Sequence, residues 1–214
     1  MINTTSSSYI ETAETGWASD PIIFGDYSNP QARIFAYATN NSGTNGNWNT
    51  NCGSGAPCFT QTASGTYFGD SWANYSTQGG TQYYSYTYFV IYEGNVWLNV
   101  VGGFIGYYAG SGYTYMASSG AGGGSQLLEW GGEVETASSQ QAWTATVMGS
   151  GAFANNVDDA AWMSGVQYMA SWGTNDNTSG TVFIDDANCY TAENDGTDFM
   201  LFGGIGWASG GNCP

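Results

Sequence analysis

Positive charge is almost missing from this sequence: Arg33 is the only Lys or Arg in 214 residues, against seventeen Asp and Glu, for a formal net charge of −16, and there is no histidine. A nucleic-acid surface needs lysine and arginine to displace condensed counterions, so that class is excluded, and attachment to an anionic membrane surface fails for the same reason. Without histidine, His-assisted nucleophiles and zinc sites with imidazole ligands are also excluded, which leaves only an all-cysteine metal site. No run of 18 apolar residues is present, so no spanning helix is expected. Residues 1–9 lack the basic and apolar blocks of a signal peptide. The chain therefore reads as a mature domain whose export sequence and pro-segment have been removed, with residues 1–10 disordered or loosely attached. Any chemistry falls to carboxylates.

What is present argues for a packed fold. Hydrophobic residues make up 42% and aromatics 16%, enough for a large core despite the charge, and the length suits one domain over residues 11–214. Thirty-three glycines and frequent Asn, Ser and Thr clusters break the chain about every ten residues, the rhythm of strands and turns. Candidate strands are Arg33–Thr39, Tyr83–Tyr92, Asn95–Val101 and Phe104–Tyr108, with a turn or bulge at Gly102-Gly103. Bulky residues on both parities of YYSYTYFVIY predict a strand covered on both faces. Ser118–Ser125 reads as flexible, and Val157–Met163 as one or two helical turns. The expected fold is all-β, an antiparallel sandwich of two large sheets of jelly-roll or concanavalin-like type.

The four cysteines fall in two local groups, Cys52 with Cys58 and Cys189 with Cys213. Three pairings are open to four cysteines; proximity in sequence favours the local one, with an all-cysteine metal site as the rival. Oxidised pairs would place the protein outside the cytoplasm. Two carboxylate clusters stand out. In Glu129-Trp-Gly-Gly-Glu133-Val-Glu135, strand alternation would put all three acids on one face, and Glu11-Thr-Ala-Glu14-Thr-Gly-Trp17 sets acids beside Gly and Trp. Each cluster alone reads as a solvated acidic segment. Together they offer what acid–base hydrolysis needs: an ionised carboxylate to deprotonate water and a protonated one to polarise the bond attacked.

AETGW, FGDYSNPQARIFAYAT, NVWLNVVGGFIGYY, SGYTYMASS, EWGGEV, MGSGAF, NCY and FGGIGWASGGNCP occur in that order. This series resembles the neprosin domain, glutamic peptidases best known from plants, over Glu11 to Pro214. The resemblance implies an endopeptidase with two glutamates facing each other across a β-sandwich. Glu14 in ETGW and Glu133 in WGGEV match them, and the chemistry needs no metal or cofactor. It also implies the pairs Cys52–Cys58 and Cys189–Cys213, export, a precursor with an inhibitory pro-segment and, as one option, cleavage after proline. Gln61 matches a glutamine that follows the first cysteine pair and is carried as a candidate substrate-binding residue. Trp17 and Trp130, each close in sequence to one glutamate, are candidate substrate-binding residues, with core packing as the alternative. Glu11, Glu129 and Glu135 match no catalytic position and are assigned to the acidic surroundings.

The expected partner is a peptide or protein substrate, met by a secreted monomer. A secreted β-sandwich glycoside hydrolase with two carboxylates across a cleft fits the residues alone equally well, and a carbohydrate-binding module with exposed Trp and Tyr is a third class.

Overall fold

The computed structural model describes residues 1–6, 9–29, 31–65, 68–72, 74–117, 124–135, 145–171, 174–177, 180–196 and 198–207. Contacts divide the chain into two compact units, Met1–Tyr75 with Tyr83–Glu129, and Ser76–Gln82 with Trp130–Pro214. Regular structure is almost all strand. No helix among the described residues is long and apolar enough to cross a membrane.

The first unit is an antiparallel sandwich. One sheet has the order β1 (Ile2–Ser6), β2 (Tyr9–Ala18), β3 (Arg33–Asn40), β4 (Asn45–Trp48), and a one-turn helix α1 (Pro21–Phe24) lies between β2 and β3. The other sheet has the order β5 (Phe59–Gln61), β8 (Gly103–Tyr108), β7 (Asn95–Val100), β6 (Thr87–Tyr92). Strand alternation builds the core between them. The first sheet contributes Ala13, Ile34, Ala36 and Ala38, and the second contributes Phe59, Val96, Leu98, Val100, Ile105 and Tyr108. Small alanines on one layer face the large side chains of the other. Tyr108 meets Phe59 edge-on, with ring centroids 5.0 Å apart. Within the segment before residue 11, expected to be loose, Ile2–Ser6 form β1, which pairs with β2 from Ile2↔Thr12 to Ser6↔Tyr9.

The second unit holds a three-stranded antiparallel sheet, order β12 (Tyr190–Asn194), β13 (Met200–Gly204), β9 (Ala161–Met163), and a ribbon of β10 (Gln167–Ser171) with β11 (Thr174–Asn177). Ala154, Ala160 and Leu201 form its small core, against which Trp162 and Phe199 pack.

Several local expectations are corrected. The strand expected from Tyr83 begins at Thr87, lies at a sheet edge and is covered on one face only: Phe89 and Ile91 pack on the core, whereas Tyr88 and Tyr92 are each 47% exposed. The expected helical turns at Val157–Met163 are turns leading into β9, because β13 offers a pairing edge there. Residues 118–123 of the glycine-rich stretch lie outside the described residues.

Candidate active site

Glu14 is placed by the register of the first sheet. In β2 the inward positions are Glu11 and Ala13, both fully buried, so Glu14 points to the opposite, outward face and is half-buried. It pairs directly with Tyr37 of β3, which pairs directly with Trp48 of β4. Paired residues of an antiparallel sheet share a face, so Glu14, Tyr37 and Trp48 form one row across three strands. Tyr37 lies against Trp48 with ring centroids 4.5 Å apart, and Phe35 meets the same indole at 5.3 Å. The charge of Glu14 is felt on the core side too. Burial pushes the Tyr108 phenol well above the usual tyrosine range and Glu14 adds to that; for Tyr113 burial again leads, followed by Tyr108, Glu11 and Glu14.

Glu133 belongs to the second unit. The stretch 129–135 is not a strand, so the expected alignment of Glu129, Glu133 and Glu135 on one strand face does not form; all three are exposed. The reason lies in Gly132. A Cβ there would sit 2.6 Å from both the Met148 sulfur and the Phe202 ring, so the chain passes closely over β13 where any side chain would collide. The next residue, Glu133, is delivered to the surface.

The remaining predicted residues fall in different places. Trp17 pairs with the core residue Ile34, on the face opposite Glu14, and packs on Trp72 with centroids 5.1 Å apart. Gln61 sits in β5 opposite Gly106 and donates its amide to the carbonyls of Ala63 (3.1 Å) and Gly65, bracing the turn after the strand. Trp130 is half-buried in the second unit. Cys52 and Cys58 are bonded to each other. Cys189 is buried and disulfide-bonded, while Cys213 lies outside the described residues.

Glu11 is not part of a solvated acidic surface. Its carboxylate is fully buried and accepts three consecutive backbone N–H groups, from Thr114, Tyr115 (3.1 Å) and Met116 (2.8 Å). The Tyr113 hydroxyl donates to the Thr12 carbonyl at 3.2 Å, so the same segment is bound to β2 twice. Sequence reasoning also missed Tyr37 and Trp48. Their signal was the alternation of RIFAYATN followed by NGNW after a four-residue loop, which sets Tyr37 opposite Trp48.

The family model for neprosin matches residues 1–205, nearly the whole chain. The chain belongs to the neprosin family. Membership supports a peptidase-like function in general terms. No curated protein matches the sequence. The match spans both described units and both glutamate motifs, ETGW at residues 14–17 and WGGEV at residues 130–134.

Proposed function

We propose that this protein is a secreted, monomeric glutamic endopeptidase that hydrolyses polypeptides in acid, with Glu14 and Glu133 as its catalytic pair. The observation that carries the reading is the neprosin match across residues 1–205, a span that includes the ETGW and WGGEV runs whose resemblance to the family motifs suggests Glu14 and Glu133. The half-buried, outward placement of Glu14 and the exposure of Glu133 leave each accessible to substrate in its own unit. The Cys52–Cys58 bond suits an oxidising, extracytoplasmic setting. A pro-segment that blocks activity until it is cleaved, and a preference for proline before the scissile bond, are parts of the same reading.

In acid one glutamate is ionised and the other carries a proton, since two carboxylates that close on one water do not both hold charge cheaply. The ionised member takes a proton from water as the water oxygen bonds to the peptide carbonyl carbon. The protonated member gives its proton to the carbonyl oxygen and stabilises the tetrahedral intermediate. Collapse breaks the C–N bond, with a proton returned to the leaving amine.

Replacing Glu14 or Glu133 by Gln removes this proton traffic and keeps side-chain volume. Each variant is expected to lose at least about a hundredfold in the rate of peptide release from denatured casein between about pH 3 and 5, with an unchanged circular dichroism spectrum. Full activity in either variant removes that residue from the pair. Sugar release from xylan or β-glucan in place of peptide release would turn the assignment to a glycoside hydrolase.

A further inference from the structure

We infer that the outward face of β2, β3 and β4 carries a substrate subsite for a bulky, uncharged apolar side chain, built on Trp48 and walled by the Cys52–Cys58 loop. The inference rests on the peptidase reading, in which Glu14 marks the bond cleaved. The row Glu14–Tyr37–Trp48 gives the distance: two strand spacings, about 10 Å, which an extended peptide covers in about three residues. Trp48 therefore addresses a substrate residue two or three positions from the scissile bond.

Beside Trp48 opens a cavity of about 400 Å³ lined by Ile22, Ile23, Trp48, Asn51, Cys52 and Ser54 among others. Although the protein carries seventeen acids, no lining residue is charged. A lysine or glutamate side chain entering it would lose hydration with no counter-charge among the lining residues, whereas an apolar side chain gains by leaving water. The walls are held in place before substrate arrives. The Trp48 ring is fixed between Tyr37 and Phe35. Gly46 belongs to this arrangement, because a Cβ there would collide with the Tyr37 phenol ring and hydroxyl. The disulfide loop is tied to β4 through Asn47, whose amide donates to the carbonyls of Ala56 (2.8 Å) and Pro57 (3.3 Å) and accepts from the Ser54 hydroxyl (2.9 Å).

The rim carries a second sign of an apolar occupant. Ile22 is 74% exposed and is held there by a capped helical turn: the Asp20 carboxylate accepts from the N–H groups of Ile22 (2.8 Å) and Ile23 (3.0 Å), and Gly25 closes the turn in a left-handed conformation. An isoleucine fixed at the mouth of an uncharged cavity presents apolar surface to whatever enters.

The test is a cleavage map. Peptides released from denatured casein by the wild-type protein are sequenced by mass spectrometry, and kcat/KM is measured for paired peptides that carry Phe or Ala at the position so identified. Wild type is expected to favour aromatic and large aliphatic residues at one position two or three residues from the cut, by about tenfold or more in the paired peptides. Trp48→Ala should bring that ratio close to one. Ile22→Asp, at an exposed site where folding is not at stake, should also lower it and raise the rate for a peptide with Lys at the same position. Wild-type cleavage with no preference there, or a ratio that survives both substitutions, overturns the subsite and leaves the peptidase reading standing. Failure of the peptidase reading itself looks different: wild type releases no peptide at all, and the subsite falls with it.

Discussion

Glu11 and Glu14 stand three residues apart on one strand and therefore point to opposite faces, which gives two identical side chains unlike surroundings. Glu14 looks outward along the row that ends at Trp48. Glu11 looks inward and is satisfied by the N–H groups of residues 114–116. Truncating it would leave three backbone donors without their acceptor, that of Met116 buried and those of Thr114 and Tyr115 part-buried. Glu11→Ala is expected to lower the unfolding free energy by about 3 kcal/mol or more, and Glu11→Gln, which keeps one carbonyl acceptor, by less. Urea titration measures both; an alanine variant within about 1 kcal/mol of wild type would show that the clamp does not hold the fold. The pairing of acids by type was visible in ETAETGW. What Glu11 binds was not, because its partners lie more than a hundred residues away.

At the scale of elements, the second sheet of the first unit is organised by two tight hairpins. Tyr92↔Asn95 and Val100↔Gly103 leave two-residue turns, Glu93-Gly94 and Val101-Gly102, and all four residues have positive φ. That is the turn whose twist matches the flanking strands, and it favours Asn-Gly. Val101, at φ 48° and 55% exposed, is a β-branched residue in the left-handed region, where it has few contacts to repay the strain. Val101→Asn is expected to stabilise the protein by about 1 kcal/mol, raising Tm by about 2–4 °C in a thermal melt. An unchanged or lower Tm would mean that the valine side chain contributes more than its backbone costs. The turn was legible as glycine in sequence, one residue late. Gly102-Gly103 reads as the natural bend, but the register places Gly103 inside β8.

Arg33, the only Lys or Arg side chain in the sequence, is fully engaged. It donates to Asp26 at 3.0 Å and to the Gly69 carbonyl, and lies 5.9 Å from the centre of the Phe24 ring. Hydrogen bonding to Arg33 lowers the Asp26 carboxyl below its ordinary 3.8. A lowered folded-state value means that this pair contributes above the unfolded value and is lost as pH falls through the folded one, so the loss begins only below about pH 4. Tyr108 and Tyr113, raised by burial, act at the other end: their contribution is present below about pH 10 and falls as the unfolded phenols ionise above it. Between these limits, protonating carboxylates relieves the repulsion of a −16 chain. Thermal melts are expected to give a Tm at about pH 4 no lower than at about pH 8, with a decline below about pH 3 that Asp26→Asn weakens. A Tm clearly higher at pH 8 would contradict this.

The sequence by itself determined the class of fold, the exclusion of cation- and histidine-based functions, the family and the two candidate glutamates, because composition, strand periodicity and ordered local motifs are properties of neighbouring residues. Only the tertiary structure decided that Glu11 is buried, that Trp17 faces away from Glu14, that residues 129–135 cross β13 as irregular chain, and that Trp48 continues the row of Glu14. Each of these depends on pairing between residues far apart in the chain. Register, once set by burying one face of a sheet, assigns every other side chain to the opposite side.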